Sequence, residues 1–178
     1  MPKKVLLDSK KIDIILNRLV CQLVENHKDF NNTVLIGLQP RGIFLIEKIL
    51  EIFKKNYPYI NIDTGILDFT FFRDDFRRSK KTLKASSTQM NFSVENKDVV
   101  LIDDVLFTGR SIKAAMSSMD SYGRPNSIEL LVLIDRRYKR EIPIQANYCG
   151  AKIDTFKGDR VNVVWNENSD KNVIYIEN

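Results

Sequence analysis

The sequence predicts an α/β fold with a mostly parallel central sheet flanked by helices, and three observations carry that prediction. Continuous runs of apolar, largely β-branched residues, such as Thr33-Val-Leu-Ile-Gly37 and Val99-Val-Leu-Ile102, have the pattern of strands buried on both faces. Longer segments between them repeat their apolar residues at helical spacing. Strands that alternate with helices pair in parallel through helical crossovers. The 178 residues, 43% of them apolar, suit a single domain over 1–178 with a sizeable core.

Asp8 or Ser9 supplies the N-cap of a first helix, in which Ile12, Ile15, Leu16, Leu19 and Leu23 form one apolar face. Met1 to Lys4 lead straight into this helix-like sequence, without the apolar region of a signal peptide. Asn31-Asn32 marks a turn before the strand Thr33 to Gly37. Gly42 to Lys55 reads as a second helix, with Ile43, Ile46, Ile49, Leu50 and Phe53 facing the core and Pro58 blocking its extension. Asp63 to Phe72 is a second strand with partial alternation, and the polar stretch from Arg73 to Asn91 has no clear period. Lys97 to Asp103 forms the third strand. Gly109 to Tyr122 is a third helix carrying Ile112, Ala115, Met116 and Met119 on one face, stopped by Gly123 ahead of Pro125. Ser127 to Ile134 is the fourth strand, and short strand-like pieces follow at Val161 to Trp165 and Asn172 to Ile176.

Composition narrows the function classes. No run of 18 apolar residues is present, so no membrane span is expected. Cys21 and Cys149 stand far apart in no metal-ligand spacing, which reads as two free thiols in a reducing cytoplasm. The single His27 rules out a histidine-based metal cluster or relay within one chain. The net charge of +5 suits anionic ligands without proving a nucleic-acid partner.

The segment Val99-Val-Leu-Ile-Asp-Asp-Val-Leu-Phe-Thr-Gly-Arg-Ser111 carries the most chemistry. Its strand ends in Asp103 and Asp104, at the carboxyl edge where open α/β sheets bind ligands. Gly109 permits a tight turn into a helix. The backbone N–H groups of residues 105–111, the helix N-terminus and the hydroxyls of Thr108 and Ser111 can surround one phosphate. The carboxylates cannot favour that phosphate; they suit the cis-diol of a ribose, or a bound Mg²⁺. A phosphate cup beside a diol clamp describes a ribose 5-phosphate site.

Two further stretches bear on it. Gly37-Leu-Gln-Pro-Arg-Gly42 is a strand–loop–helix junction whose backbone N–H groups, with Arg41, can hold a second anion. Between Arg73 and Lys84 the chain sets Arg73, Arg77, Arg78, Lys80, Lys81 and Lys84 against Asp74 and Asp75, and a long polar loop inside a compact domain is usually functional or disordered.

The thirteen-residue segment resembles the phosphoribosyl pyrophosphate (PRPP) motif of the type I phosphoribosyltransferases. That resemblance implies their fold, with a small hood at roughly 135–160 and a flexible loop at roughly 73–93 over the site. It implies PRPP binding by Asp103, Asp104, Val105, Leu106, Phe107, Thr108, Gly109, Arg110 and Ser111. Gln39, Pro40, Arg41, Gly42 and Arg73 would hold the pyrophosphate; Asp103, Asp104 and Arg41 would be catalytic, and the two aspartates would bind Mg²⁺. The family's pyrophosphate loop commonly contains a cis peptide, matched here by Gln39–Pro40. A cis bond before proline costs under ~1 kcal/mol, against ~3 kcal/mol elsewhere. A plain β–α turn with a trans proline is the alternative.

Leu131-Val-Leu-Ile-Asp-Arg136, Ile142-Pro-Ile144, Asn147-Tyr-Cys-Gly150 and Leu67-Asp-Phe-Thr-Phe-Phe-Arg-Asp-Asp75 resemble the pyrimidine operon regulator (PyrR) branch, from about Val5 to Glu177. The resemblance implies a cytoplasmic uracil phosphoribosyltransferase that also binds leader mRNA, senses UMP or UTP, and forms homodimers or larger homo-oligomers. Tyr148 to Lys157 would line the base pocket, with Asp135, Arg136, Lys152, Ile153, Asp154 and Thr155 as its candidates. Arg18, Arg137, Lys139 and Arg140 are the candidates for RNA contact. The chain departs from the family pattern after Asp135-Arg136, where Arg137-Tyr-Lys-Arg-Glu-Ile-Pro143 replaces a shorter Gly-His-containing segment. It departs again at Asp154-Thr-Phe-Lys157.

Two other functions compete. A non-catalytic RNA-binding regulator would use the same pocket only to sense UMP or UTP. A 6-oxopurine phosphoribosyltransferase would carry an aspartate just before Thr-Gly as acid or base; this chain has Phe107 there, which cannot transfer a proton.

Overall fold

The computed structural model describes residues 3–76, 85–156, 158–166 and 171–177. Its strands are β1 (Lys3–Leu7), β2 (Thr33–Leu38), β3 (Asp63–Leu67), β4 (Asp98–Leu106), β5 (Ser127–Arg136), β6 (Tyr148–Ile153), β7 (Arg160–Val164) and β8 (Val173–Glu177). Its helices are α1 (Ser9–His27), α2 (Gly42–Asn56) and α3 (Arg110–Met119). The order β3-β2-β4-β5-β6 makes a five-stranded sheet in which every pairing is parallel.

Alternation along the central strands divides the core in two. Leu35, Val100, Ile102, Leu131 and Leu133 point to the face covered by α1 and α2, where Ile12, Leu16, Leu19, Ile46, Ile49 and Phe53 meet them. Val34, Ile36, Val99, Leu101 and Val132 point to the other face, against Ile112, Ala115 and Met119 of α3 and against Phe69 and Val94. These strands read as unbroken apolar runs because both faces are buried.

Asp8 caps α1, its carboxylate accepting from the Lys11 N–H at 2.9 Å. Three expectations need correction. The residues before α1 form a strand, not more helix: β1 pairs antiparallel with β8 from the far end of the chain, Lys3 beside Glu177. The stretch 63–72 is not one strand. It ends at Leu67, because the Asp68 carboxylate takes the Thr70 N–H at 2.7 Å and turns the chain into a 3₁₀ turn at Thr70–Phe72. The third helix stops at Met119, tightens to a 3₁₀ turn at Asp120–Tyr122, and is ended by Gly123 at φ 123°.

A second, antiparallel sheet of order β1-β8-β7 draws on both ends of the chain. Val161 and Ile174 bury its inner face against the α1 and α2 side of the core. Within the 135–160 stretch, residues 148–153 form β6 at the edge of the large sheet.

Candidate active site

The carboxyl ends of β2, β4, β5 and β6 converge on one edge, and the polar side chains gather there. β4 delivers the acidic pair. Asp104 is 4% exposed, while Asp103 is half-buried and accepts the Asp104 N–H at 2.9 Å. Burial raises both carboxyls above the ordinary carboxylate range, Asp103 well above it, where the neighbouring Asp104 charge adds to the effect. The Arg41 guanidinium opposes this at Asp104, with Nη1 3.7 Å from Oδ2. That same Oδ2 is buried without a hydrogen-bond partner. An orphaned anionic oxygen beside a second carboxylate fits a hard cation completed by substrate oxygens. Among the described residues, no group of three His, Cys, Asp or Glu side chains forms a protein-only metal cage.

Arg41 stands there because α2 begins against β4. A Cβ on Gly42 would lie 2.3 Å from the Ile102 carbonyl oxygen, so only glycine lets the helix start this close to the acidic strand. The Gln39–Pro40 bond is cis. Gln39 is fixed by its N–H to the Leu67 carbonyl at 3.0 Å and by its side-chain amide to the Ser87 carbonyl at 2.9 Å. Gln39, Pro40, Asp68, Phe69, Thr70, Arg73 and Ser86 line a cleft of about 180 Å³.

After β4 the chain turns at Thr108-Gly109 into α3. Gly109 has φ 88°, the left-handed region that a side chain would strain. The Thr108, Gly109 and Ser111 N–H groups meet no acceptor among the described residues, and the Arg110 N–H turns to Thr108 Oγ1 at 3.3 Å. A second cleft, about 210 Å³, is lined by Thr108, Ser111, Arg110, Arg73, Asp74 and Asp75. Val105 and Leu106 finish β4. Leu106 packs into the α3-side core and Val105 against the opposite one, so these two can offer only backbone groups to a ligand.

The turn is held from behind by residues 140–142. The Thr108 carbonyl accepts the Glu141 and Ile142 N–H groups at 2.9 and 3.0 Å. Arg110 Nε donates to Glu141 at 2.5 Å and its Nη1 to Asp74. Arg140 donates to the Phe107 carbonyl and to the buried Asp135 carboxylate. Arg136, also buried, lies 3.8 Å above the Phe107 ring and donates to Thr155 Oγ1 and to the Asp159 carbonyl.

Asp103, Asp104, Arg41, residues 105–111, Arg73, Asp135, Arg136 and Thr155 thus share the carboxyl edge of the sheet. Ile153 is half-buried, while Lys152 and Asp154 are exposed at the end of β6. Tyr148 does not join them. Its hydroxyl sits toward the amino ends of the strands, donating to Glu129 at 2.7 Å and lying 3.1 Å from His27 Nε2. The RNA candidates separate. Arg18 on α1 holds the Cys149 and Gly150 carbonyls, and Arg137 makes two bonds to Asp154 at 2.6 and 2.8 Å. Arg140 turns inward, and Lys139 is exposed. Arg77, Arg78, Lys80, Lys81, Lys84 and Lys157 lie outside the described residues. Sequence reading did not find Glu141 as the partner of Arg110, since 31 positions separate them.

A family model described as the phosphoribosyl transferase domain matches residues 3–168. The chain is 36% identical to the bifunctional protein PyrR of Desulfosudis oleivorans over 96% of its own length and 93% of that protein's. It is 38% identical to the bifunctional protein PyrR of Caldicellulosiruptor bescii, over 98% and 94% of the two chains. Similar solved structures include a hypoxanthine phosphoribosyltransferase from Staphylococcus aureus, at TM-score 0.66 and 24% identity, covering 84% of this chain and 77% of that one. Another is the hypoxanthine phosphoribosyltransferase of Trypanosoma cruzi, at TM-score 0.69 and 14% identity, with 97% and 95% covered. At these identities the solved structures bear on the fold alone. The matched domain and the full-length identity to the bifunctional relatives place this chain in the phosphoribosyltransferase superfamily and, within it, in the PyrR family.

Proposed function

We propose that the cleft transfers ribose 5-phosphate from PRPP to uracil, giving UMP and pyrophosphate. One observation carries the reading: an acidic pair facing Arg41, Asp104 buried and Asp103 half-buried, lies a few residues ahead of a glycine turn whose N–H groups, without an acceptor among the described residues, open a helix. In this reading the N–H groups and hydroxyls of residues 105–111 hold the 5-phosphate. Asp103 and Asp104 hold the ribose diol and stabilise positive charge developing on the sugar. Gln39, Pro40, Arg41, Gly42 and Arg73 receive the leaving pyrophosphate. Asp135, Arg136, Lys152, Ile153, Asp154 and Thr155 border the uracil. Asp103 and Asp104 would also hold Mg²⁺, which when bound neutralises charge on the leaving pyrophosphate. Most of the rate comes from positioning and fixed charges, not from covalent chemistry.

The test is pyrophosphate release from PRPP with Mg²⁺, comparing uracil with hypoxanthine and guanine. Turnover with uracil alone supports the reading; turnover with a purine alone overturns it. Phe107 favours the pyrimidine, because it offers a purine no proton-transferring group. Absence of turnover with every base, together with UMP binding, would make the protein a nucleotide-sensing regulator on a transferase fold.

The relatives' printed name, bifunctional protein, favours a second activity, and leader mRNA is its proposed partner. Lys139, Arg18 and Arg137, all exposed, supply the positive charge. Counterion release makes such binding fall steeply with salt, unlike binding of neutral uracil. The same family reading carries a homodimer or larger homo-oligomer and a cytoplasmic setting. No helix among the described residues is long and apolar enough to cross a membrane.

A further inference from the structure

The cleft beside Thr108 and Ser111 contains its own anions. Arg73 and Arg110 line it, and so do Asp74 and Asp75. Each arginine is already paired within the chain. Arg73 donates to both Asp75 oxygens, at 2.8 and 2.7 Å, and Arg110 reaches across to Asp74. The pairing lowers the Asp75 carboxyl and raises both guanidiniums, so these three groups hold their charge at neutral pH.

A phosphate seated on the Thr108, Gly109 and Ser111 N–H groups cannot share the cleft with these carboxylates without repulsion. The structure therefore sets two anions in competition for the same arginines. One is supplied by the chain and the other by the ligand. Residues 70–76 can make this exchange cheaply. They hold no strand pairing, and the four side chains are 36–51% exposed. The exchange also favours a doubly charged phosphate over singly charged anions, which cannot outbid a carboxylate already in place.

We propose that Asp74 and Asp75 are internal counter-ions of the phosphate cleft, which weaken its affinity for phosphoryl groups and so set the PRPP concentration at which it fills. They are positioning residues, acting through Arg110 and Arg73. The inference rests on the reading of residues 105–111 as a phosphate cup.

The experiment compares the wild type with Asp74→Asn/Asp75→Asn, and with Asp13→Asn/Asp63→Asn as a control that removes two exposed charges elsewhere. Inorganic phosphate and ribose 5-phosphate binding are measured by calorimetry, and KM for PRPP and kcat separately by pyrophosphate release. The expected result is roughly three- to tenfold tighter phosphate binding and a lower KM for PRPP in the cleft variant, the weight of two part-exposed ion pairs. The control should shift neither by more than about twofold, since distant exposed charges are screened. Unchanged or weaker binding in the cleft variant overturns the proposal while wild-type turnover leaves the phosphoribosyl-transfer reading standing. An equal gain in the control overturns it as well, since net charge would then explain the effect. A wild type that neither binds phosphate nor uses PRPP overturns both.

Discussion

Replacing Gly42 with alanine tests whether the pyrophosphate loop and the acidic pair must keep a fixed separation. The added Cβ would lie 2.3 Å from the Ile102 carbonyl oxygen, 3.3 Å from that carbonyl carbon and 3.4 Å from Asp103 Cα. All three are backbone atoms in the centre of the sheet, so none can swing aside. Ordinary contacts need about 3.5 Å, and the first turn of α2 has to lift by roughly 1 Å to provide it. The lift carries Arg41 away from Asp103 and Asp104. A misplacement of about 1 Å costs on the order of 100-fold in rate. Stability moves far less, because alanine gains about 1 kcal/mol over glycine in a helix while overpacking costs about 1–3 kcal/mol. The net loss, about 2 kcal/mol at most, corresponds to a Tm lower by up to about 8 °C. The assay is kcat/KM for PRPP at saturating uracil, beside a thermal melt. A folded variant with kcat/KM down about 100-fold is expected. Activity within about threefold of the wild type would refute the claim that this spacing matters. A much larger fall in Tm would show that the clash breaks the fold instead of the alignment.

Other perturbations probe separate parts of the argument. Asp104→Asn should lower turnover by about 100-fold, as loss of a fixed charge at a reacting centre does. Yet it should raise Tm by a few degrees at pH 7. The folded carboxyl is raised above its unfolded value, so its ionisation costs the fold stability as pH rises from about 4; the advantage of asparagine should vanish below that pH, and a gain that persists at pH 3 would contradict this cause. Burial pushes the Tyr148 hydroxyl up to about 12, so stability present below pH 10 should be lost as pH rises through 12, by about 2 kcal/mol in urea denaturation. Tyr148→Phe should remove that alkaline limb, and an unchanged limb would assign it elsewhere. Arg140→Met leaves the Asp135 carboxylate buried without its cation and frees the Phe107 carbonyl, so it should cost on the order of 2 kcal/mol and depress turnover; Lys139→Ala should do neither. A catalytically normal Arg140→Met with weakened RNA binding would return Arg140 to the surface role its sequence position suggests.

Much of the fold was legible because burial on both faces leaves a plain mark. Val99 to Ile102 and Leu130 to Ile134 are unbroken apolar runs, and runs of that kind are nearly always central parallel strands. β1 was not legible. Lys3-Lys-Val-Leu-Leu7 is half-exposed and has no partner nearby in sequence; it becomes a strand only because β8, from the other end of the chain, lies beside it. The end of β3 was missed for a different reason. Thr70-Phe-Phe72 has strong strand propensity, but a single carboxylate, Asp68, takes the Thr70 N–H and turns the chain.

The same division runs through the candidate site, and it separates what a ligand needs from what holds the site ready. Asp103, Asp104, Thr108, Gly109 and Ser111 are adjacent in sequence because a phosphate and its ribose span only a few residues of strand, turn and helix. Their spacing therefore encodes the ligand directly. The groups that orient them come from anywhere in the chain. Arg110 is fixed by Glu141 and Asp74, Phe107 by Arg136 and Arg140, and Asp104 by Arg41. None of these pairings has a required separation in sequence, so none leaves a motif. The inward turn of Arg140 follows from the same point. A basic cluster such as Arg136-Arg137-Tyr138-Lys139-Arg140 looks uniform as sequence, but Asp135 is a buried carboxylate that demands a cation, and Arg140 reaches it. What remains for an external polyanion is the set of cations the site has not used: Lys139 is exposed and has no hydrogen-bond or ion-pair partner among the described residues, while Arg140 is only half-exposed and turned inward. RNA affinity in this chain should therefore depend more on Lys139 than on Arg140, the reverse of what an arginine-first reading of the cluster would give.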